Sequence, residues 1–406
     1  MEKLISLLGI AVILGIAFLL SENKKKVNWA LVAKGITIQF IFALIVLKWS
    51  VGQRIFNIIS RGVTKLLDFT KYGTTFLFGN LIDSNKFGVI FALQILPTII
   101  FFSALMSILY YLGIMQAVVS FLAKIMLKIL GTSGAESLSN TANIFLGQTE
   151  APLLIKPYVN DMTRSELLTI MVGGMATVAG GVMAGYIAMG IDAGHLIAAS
   201  LMAAPASLMI SKIMLPETEE PKTKGKVNIE FEKVDANVID AAARGASEGL
   251  QLSLNVGAML IAFIALIYLI NYLIAKVGYL VGIRDFSLEW ILGRLFAPVT
   301  FIIGVPLKDV INAGSLLGQK IVINEFFAFA NLSNLIKGGI LQQRTITLLT
   351  YALCGFANIS SIAIQIGGIG GLAPDRRSDI AKLGIKALIG GTLVGLLNAA
   401  IAGLLL

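Results

Sequence analysis

GQTEAP, residues 147–152, decides the fold. It closes a moderately apolar stretch, 118–159, that is broken at Gly131-Thr132-Ser133-Gly134. A spanning helix needs about 20 apolar residues, and neither half reaches that comfortably. A re-entrant hairpin, in from one side and back out, satisfies the pattern and carries Gln148, Thr149 and Glu150 to membrane depth. The pattern recurs. Residues 288–330 are apolar, are interrupted at GVPLKD (304–309), and end in GQKIVINEFFAF (318–329), which carries Asn324 and Glu325. A Gly-rich helix and an apolar helix follow the acidic motif in each copy, with ATVAGG at Ala176–Gly181 in the first and FANISS at Phe356–Ser361 in the second. An odd number of full spans separates the copies, so they enter from opposite faces. Inverted repeats with broken helices are the recurring plan of secondary transporters.

Outward from the hairpins the chain reads as an all-α polytopic membrane protein. Full spans are expected at 4–20, 29–47, 87–114, 167–189, 193–215, 252–275, 345–369 and 385–405. Pro97 is a possible kink in the third. The glycines at 173, 174, 180, 181 and 185 invite close packing or local unwinding in the fourth. Arg54, Arg61, Lys65 and Lys71 interleave with apolar residues at helical spacing, as in an amphipathic helix lying along the interface. The polar stretch 216–244 is the clearest linker. These features divide the chain into N-terminal scaffold helices (1–117), a first hairpin repeat (118–215), a scaffold loop and sixth helix (216–287), and a second hairpin repeat (288–406). Lys24–Lys26, the 222–226 KTKGK stretch and Arg376-Arg377 mark the cytoplasmic side by the positive-inside rule. Arg284, Arg294 and the 54–71 cations oppose that topology. No small-x-small cleavage site follows the first apolar run, so it reads as a retained helix rather than a signal peptide.

Composition excludes other classes. Of 406 residues, 57% are hydrophobic and 14% charged, and the mean hydropathy is +0.86. Soluble domains carry about 25% charged residues, and a soluble enzyme of this composition would expose apolar surface and aggregate. The net charge of +9 lies in short clusters between apolar runs. It suits lipid headgroups rather than nucleic acid. One cysteine, Cys354, rules out an intrachain disulfide and argues against a Cys-based metal site. The single histidine, His195, fits a helix end.

An ionisable residue at membrane depth costs at least about 2.5 kcal/mol on insertion scales and usually has a task. Glu150 and Glu325 stand out. One reading has them pairing with Lys or Arg to hold the fold. Their matching placement favours a shared ligand site. A glycosidase-like carboxylate pair is a weaker reading, since hydrolysis needs water and a cleft at defined spacing. Gln148 and Asn358 add amides, and Thr149 and Ser361 add hydroxyls. Sugars, nucleosides and hydroxylated amino acids all fit that set. A carrier, a passive channel and a membrane-embedded hydrolase remain distinct classes at this point.

Four motifs narrow the choice: GQTEAPLLIKPYV (147–159), ANVIDAAARGASEGLQLSLNVGAMLIAF (236–263), GSLLGQKIVINEFFAF (314–329) and CGFANISSIAIQIGG (354–368). In this order they resemble the concentrative nucleoside transporter family, in its bacterial form, over nearly the whole chain. The resemblance implies eight spans, two opposed re-entrant hairpins, interfacial helices, a homotrimer and residence in the cell's inner membrane. It implies that Gln148, Thr149, Glu150 and Val182 face a nucleobase, and that Glu325, Asn358, Ser361 and Phe356 face a ribose. It implies a sodium site at Asn143, Leu146, Thr177 and Val178, the first and third through side-chain oxygens and the others through backbone carbonyls. The expected activity is sodium-coupled import of nucleosides such as uridine or adenosine, with no further cofactor. Some members of the family use protons, which is the alternative.

Overall fold

The computed structural model describes residues 2–225, 235–282 and 286–406. Arg284 and residues 226–234 of the linker lie outside these. Among the described residues the chain forms helices and no strand. Seven helical segments among the described residues are long and apolar enough to cross a membrane: Glu2–Leu19, Trp29–Leu47, Phe91–Tyr111, Arg164–Ala188, Ala193–Met214, Val238–Leu280 and Pro374–Leu405. The seventh expected span, 345–369, is present as two shorter helices joined by a break, Gln343–Leu353 and Ile359–Leu372.

The N-terminal helices are α1 (Glu2–Leu19), α2 (Trp29–Leu47), α3 (Ser50–Asp68) and α4 (Thr70–Phe78). In α3 only Gly52 and Leu67 are buried, as an interfacial helix requires. The third span starts late. A short turn, Phe91–Gln94, precedes α5 (Leu96–Tyr111), and Pro97 sits in the first turn of α5. Proline is tolerated there because the first N–H groups have no partner anyway. It starts the helix rather than kinking it.

The first hairpin differs from the expectation. Residues 114–130 form one full helix, α6 (Ile114–Leu130), capped by Gly131 at φ +71°. Ser133 then caps α7 (Gly134–Ala142) through a capping box with Glu136. The Gly-Thr-Ser-Gly run is therefore a helix stop followed by a helix start, not the hairpin turn. The turn lies one segment later, at 143–150, before the helical turns Ala151–Ile155 and Lys156–Val159. Gln148, Thr149 and Glu150 stand at its tip. The second copy repeats this. α12 (Leu288–Ile302) and α13 (Val310–Val322) flank GVPLKD, and the tip at Ile323-Asn324 leads into α14 (Glu325–Lys337).

Each hairpin faces a broken helix. α8 (Arg164–Ala176) ends at Thr177, and α9 (Gly180–Ala188) starts after Ala179, so the segment does unwind, but at Thr177-Val178-Ala179; the five glycines flank the break and stay helical. α15 (Gln343–Leu353) and α16 (Ile359–Leu372) flank the second break, 354–358. α10 (Ala193–Met214) is almost wholly buried. His195 sits in its first turn, where its N–H donates to the Asp192 cap at 2.8 Å. α17 (Arg377–Leu405) is the central post, packed on α1, α8, α10, α15 and α16.

The linker is shorter than expected, because Asn237 caps a single 44-residue helix, α11 (Val238–Val281), that includes Arg244. At 1.5 Å per residue it is about 66 Å long, roughly twice the hydrocarbon thickness. It packs chiefly on α5. Contact is close because a Cβ at Gly249 would lie 2.8 Å from Ile100 Cα, and Ser253 Oγ donates to Leu96 O at 2.9 Å. Its other faces expose Leu254, Ile261, Tyr268, Leu273 and Leu280. Arg294, on α12, is exposed and stacks 3.6 Å from the Trp290 ring centre in a cation–π contact.

Loops at one end of the molecule are tied together. Glu22 pairs with Lys386 at 2.6 Å, Lys222 with Asp161 at 2.9 Å, and Gly134 N donates to Thr223 O at 2.9 Å. The described cations of the three Lys/Arg clusters stand at this end, Arg376 Nη1 donating to Asn160 O at 2.9 Å.

Candidate functional site

Two helix N-termini build the site. Asn324 caps α14, its Oδ1 accepting from Phe327 N at 2.8 Å, which fixes Glu325 as the first helical residue. Asn358 caps α16, its Oδ1 accepting from Ser361 N at 2.9 Å and from Ser360 Oγ at 2.7 Å. Helix N-termini carry positive partial charge, which stabilises a carboxylate placed there. Glu325 is buried. Asn358 Nδ2 donates to its Oε2 at 2.9 Å, and Tyr186 OH donates to its Oε1 at 3.3 Å.

The first hairpin supplies the facing wall. Gln148 Nε2 donates to Ser361 Oγ at 3.1 Å, bridging the two repeats. Gln148 Oε1 is buried without a partner. Glu150 accepts from Gly147 N at 3.0 Å. The tip presses onto the broken helix. A Cβ at Gly174 would stand 2.8 Å from Gln148 Cβ and 2.9 Å from Gln365 Nε2.

These elements enclose a cavity of about 220 Å³. All eight residues expected to face a ligand line it: Gln148, Thr149, Glu150, Val182, Glu325, Phe356, Asn358 and Ser361. Apolar and aromatic surfaces lie beside amides, hydroxyls and two carboxylates. That suits a flat ring at one end and hydroxyl donors at the other. A second cavity, about 680 Å³, shares Glu150, Ala179 and Leu252 with the first. Its outer wall carries Asp235, Arg244 and Glu248. Arg244 Nε donates to Asp235 Oδ1 at 2.6 Å, Nη2 to Oδ2 at 2.9 Å, and Nη1 to Glu248 Oε1 at 2.7 Å. The Arg244 hydrogen bonds hold the Asp235 carboxyl below the usual carboxylate range.

The four positions expected for an ion lie behind the first hairpin tip, between it and the first break. Asn143 is fully buried at the end of α7, and neither amide atom has a partner. Thr177 is buried at the end of α8 and donates its hydroxyl to Gly173 O at 2.9 Å, which leaves the oxygen lone pairs free. A bond from Gly180 N to Phe145 O at 3.0 Å holds the tip beside the break. The carbonyls of Leu146 and Val178 accept no backbone hydrogen bond among the described residues. Unpaired buried oxygens are costly, and uncharged oxygens of this kind are hard donors suited to an alkali cation. The residues present therefore fit a sodium ion.

Sequence reasoning missed Tyr186, whose hydroxyl reaches Glu325 from α9. It also missed the cavity wall given by α11, Leu252, Val256, Met259 and Leu260. Asn324, a capping residue just before a carboxylate, was the available signal for the helix N-terminus. Nothing in the sequence places α11 against the site.

Comparison with known proteins gives the family. The model for the Na+ dependent nucleoside transporter C-terminus matches residues 195–403. The corresponding N-terminus model matches 8–81, and a nucleoside recognition (Gate) model matches 92–193. The chain belongs to the concentrative nucleoside transporter family. It is 49% identical over 405 residues to the transporter YutK of Bacillus subtilis, covering 100% of both chains. It is 42% identical over 411 residues to the nucleoside permease NupC of Helicobacter pylori, covering 99% of this chain and 98% of that one. A solved structure of CNTnw in an inward-facing substrate-bound state superposes with a TM-score of 0.94 at 45% identity, covering 100% of this chain and 98% of that one. The protein is thus a membrane nucleoside transporter and not an enzyme, which removes the hydrolase reading.

Proposed function

We propose that this chain imports nucleosides such as uridine or adenosine by sodium-coupled symport through alternating access. The observation that carries the reading is the single cavity lined by all eight expected residues. Gln148, Thr149, Glu150 and Val182 take the base. Glu325, Asn358, Ser361 and Phe356 take the ribose, the carboxylate accepting from its hydroxyls in charge-assisted bonds. Asn143, Leu146, Thr177 and Val178 hold sodium, which supplies the downhill gradient. Their place beside the tip couples its occupancy to the posture of Gln148 and Glu150.

The larger cavity runs from Glu150 toward Asp235 at the start of α11, next to the linker. By the positive-inside rule the linker's end of the molecule is cytoplasmic, so this cavity opens toward the cytoplasmic side. The moving unit comprises both hairpin repeats. Packing adds α1 and α2, which lie against α17 and α10, and leaves α5 with α11 as the static frame. The exposed apolar faces of α11 meet lipid and the other two subunits of a homotrimer in the inner membrane.

Equilibrium binding to the purified protein tests the site. Uridine or adenosine binding is expected in sodium chloride and greatly weakened in choline chloride at constant pH. Equal affinity in the two salts would remove the sodium assignment.

A further inference from the structure

The two repeats treat their breaks differently. In the first, the end of α7 offers Asn143 with unpaired amide atoms, beside a break with free carbonyls. In the second, the corresponding last turn of α13 offers Lys320. Its side chain is completely buried. Its Nζ donates to Ala352 O at 2.9 Å, in the last turn of α15 just before the break. It forms no ion pair with any carboxylate among the described residues; Glu325 bonds instead to Asn358 and Tyr186. α17 closes the pocket. A Cβ at Gly395 would lie 3.1 Å from Ala352 O and 3.6 Å from Lys320 Nζ. The two breaks also touch: Phe356 N donates to Thr177 O at 3.1 Å.

We propose that Lys320 is a tethered cation, its ammonium standing at the second break where the first repeat binds a mobile sodium ion. This rests on the sodium reading given above. A helix C-terminus attracts a cation through its free carbonyls, and an unwound carbonyl is also what coordinates sodium in broken transporter helices. A buried lysine in a membrane core is costly and needs a task. Here the fixed charge meets the electrostatic need of the second break, so only the first repeat draws on the gradient. One sodium ion then moves per nucleoside.

Proteoliposome flux tests this with labelled sodium and labelled uridine measured together. The unaltered protein is expected to carry one sodium per uridine with a Hill coefficient near one. Two sodium ions per uridine would overturn the tethered-cation role while leaving sodium coupling intact. Uridine flux with no coupled sodium would defeat the sodium reading itself. Lys320→Gln keeps a donor for Ala352 O and removes the charge. It is expected to raise half-saturating sodium about tenfold and lift the Hill coefficient above one, with uptake recovering at high sodium. An unchanged sodium curve overturns the proposal, as does a folded variant whose uptake high sodium fails to restore. If that variant does not fold, Lys320→Arg decides: it keeps the charge, and an altered sodium dependence in it overturns the proposal.

Discussion

Glu325 concentrates the account at the scale of one residue. It sits on a helix N-terminus, takes donors from Asn358 and Tyr186, and faces the cavity. Hydrogen bonds to charged groups contribute about 1.5–3 kcal/mol. Glu325→Gln is therefore expected to weaken nucleoside uptake roughly 10- to 100-fold while leaving the protein folded and oligomeric. Uptake measured beside size-exclusion profiles checks this, and near-normal uptake would remove the ribose assignment. 2′-Deoxy- or 3′-deoxyuridine should lose affinity on the unaltered protein, because a buried acceptor is left unpaired; competition against labelled uridine reads the loss. Thr177 has the opposite profile. Thr177→Ala removes a hydroxyl from the ion positions and none from the cavity. It should raise half-saturating sodium several-fold with a smaller change in nucleoside KM, and a sodium titration that does not move would contradict it.

At the scale of elements, the breaks and tips do the work. Gly355 has φ +130°, and a Cβ there would lie 2.8 Å from Ala176 O and 2.9 Å from Met175 O. Glycine alone accepts that backbone and that approach. Gly355→Ala is expected to cost about 1–3 kcal/mol and to lower the melting temperature in detergent; an unchanged Tm would mean the two breaks need not touch. Some elements were legible in the sequence. α2 begins and ends where the apolar run does, with Asn28 capping its start through Leu31 N at 3.1 Å. A break within the glycine-rich span was legible too, although it falls at Thr177–Ala179 between the glycines rather than on them. The hairpin turns did not follow. Gly131 and Ser133 read as a turn, yet they are a C-cap and an N-cap, two functions that use the same residue types as turns do. The real tip at 143–150 is held by contacts to α8, and sequence spacing does not report tertiary contacts. Tyr186 and Lys320 were hidden for the same reason.

At the scale of the whole molecule, the inverted repeat explains why one cavity receives side chains from both halves. Gln148 from the first and Ser361 from the second share a hydrogen bond of 3.1 Å, so occupancy of the cavity joins the two repeats. α11 is too long and too exposed to be an ordinary core helix. Its apolar faces predict association, and native mass spectrometry should show three chains per particle; a monomer retaining full transport would contradict the trimer.

The central claim is that a sodium gradient drives nucleoside entry. Uptake of labelled uridine into proteoliposomes, with sodium and proton gradients imposed separately, tests it most directly. An inward sodium gradient alone is expected to concentrate uridine above its outside level, and a proton gradient alone is not. Uptake indifferent to sodium at constant pH, and abolished when the proton gradient is collapsed, would contradict the account.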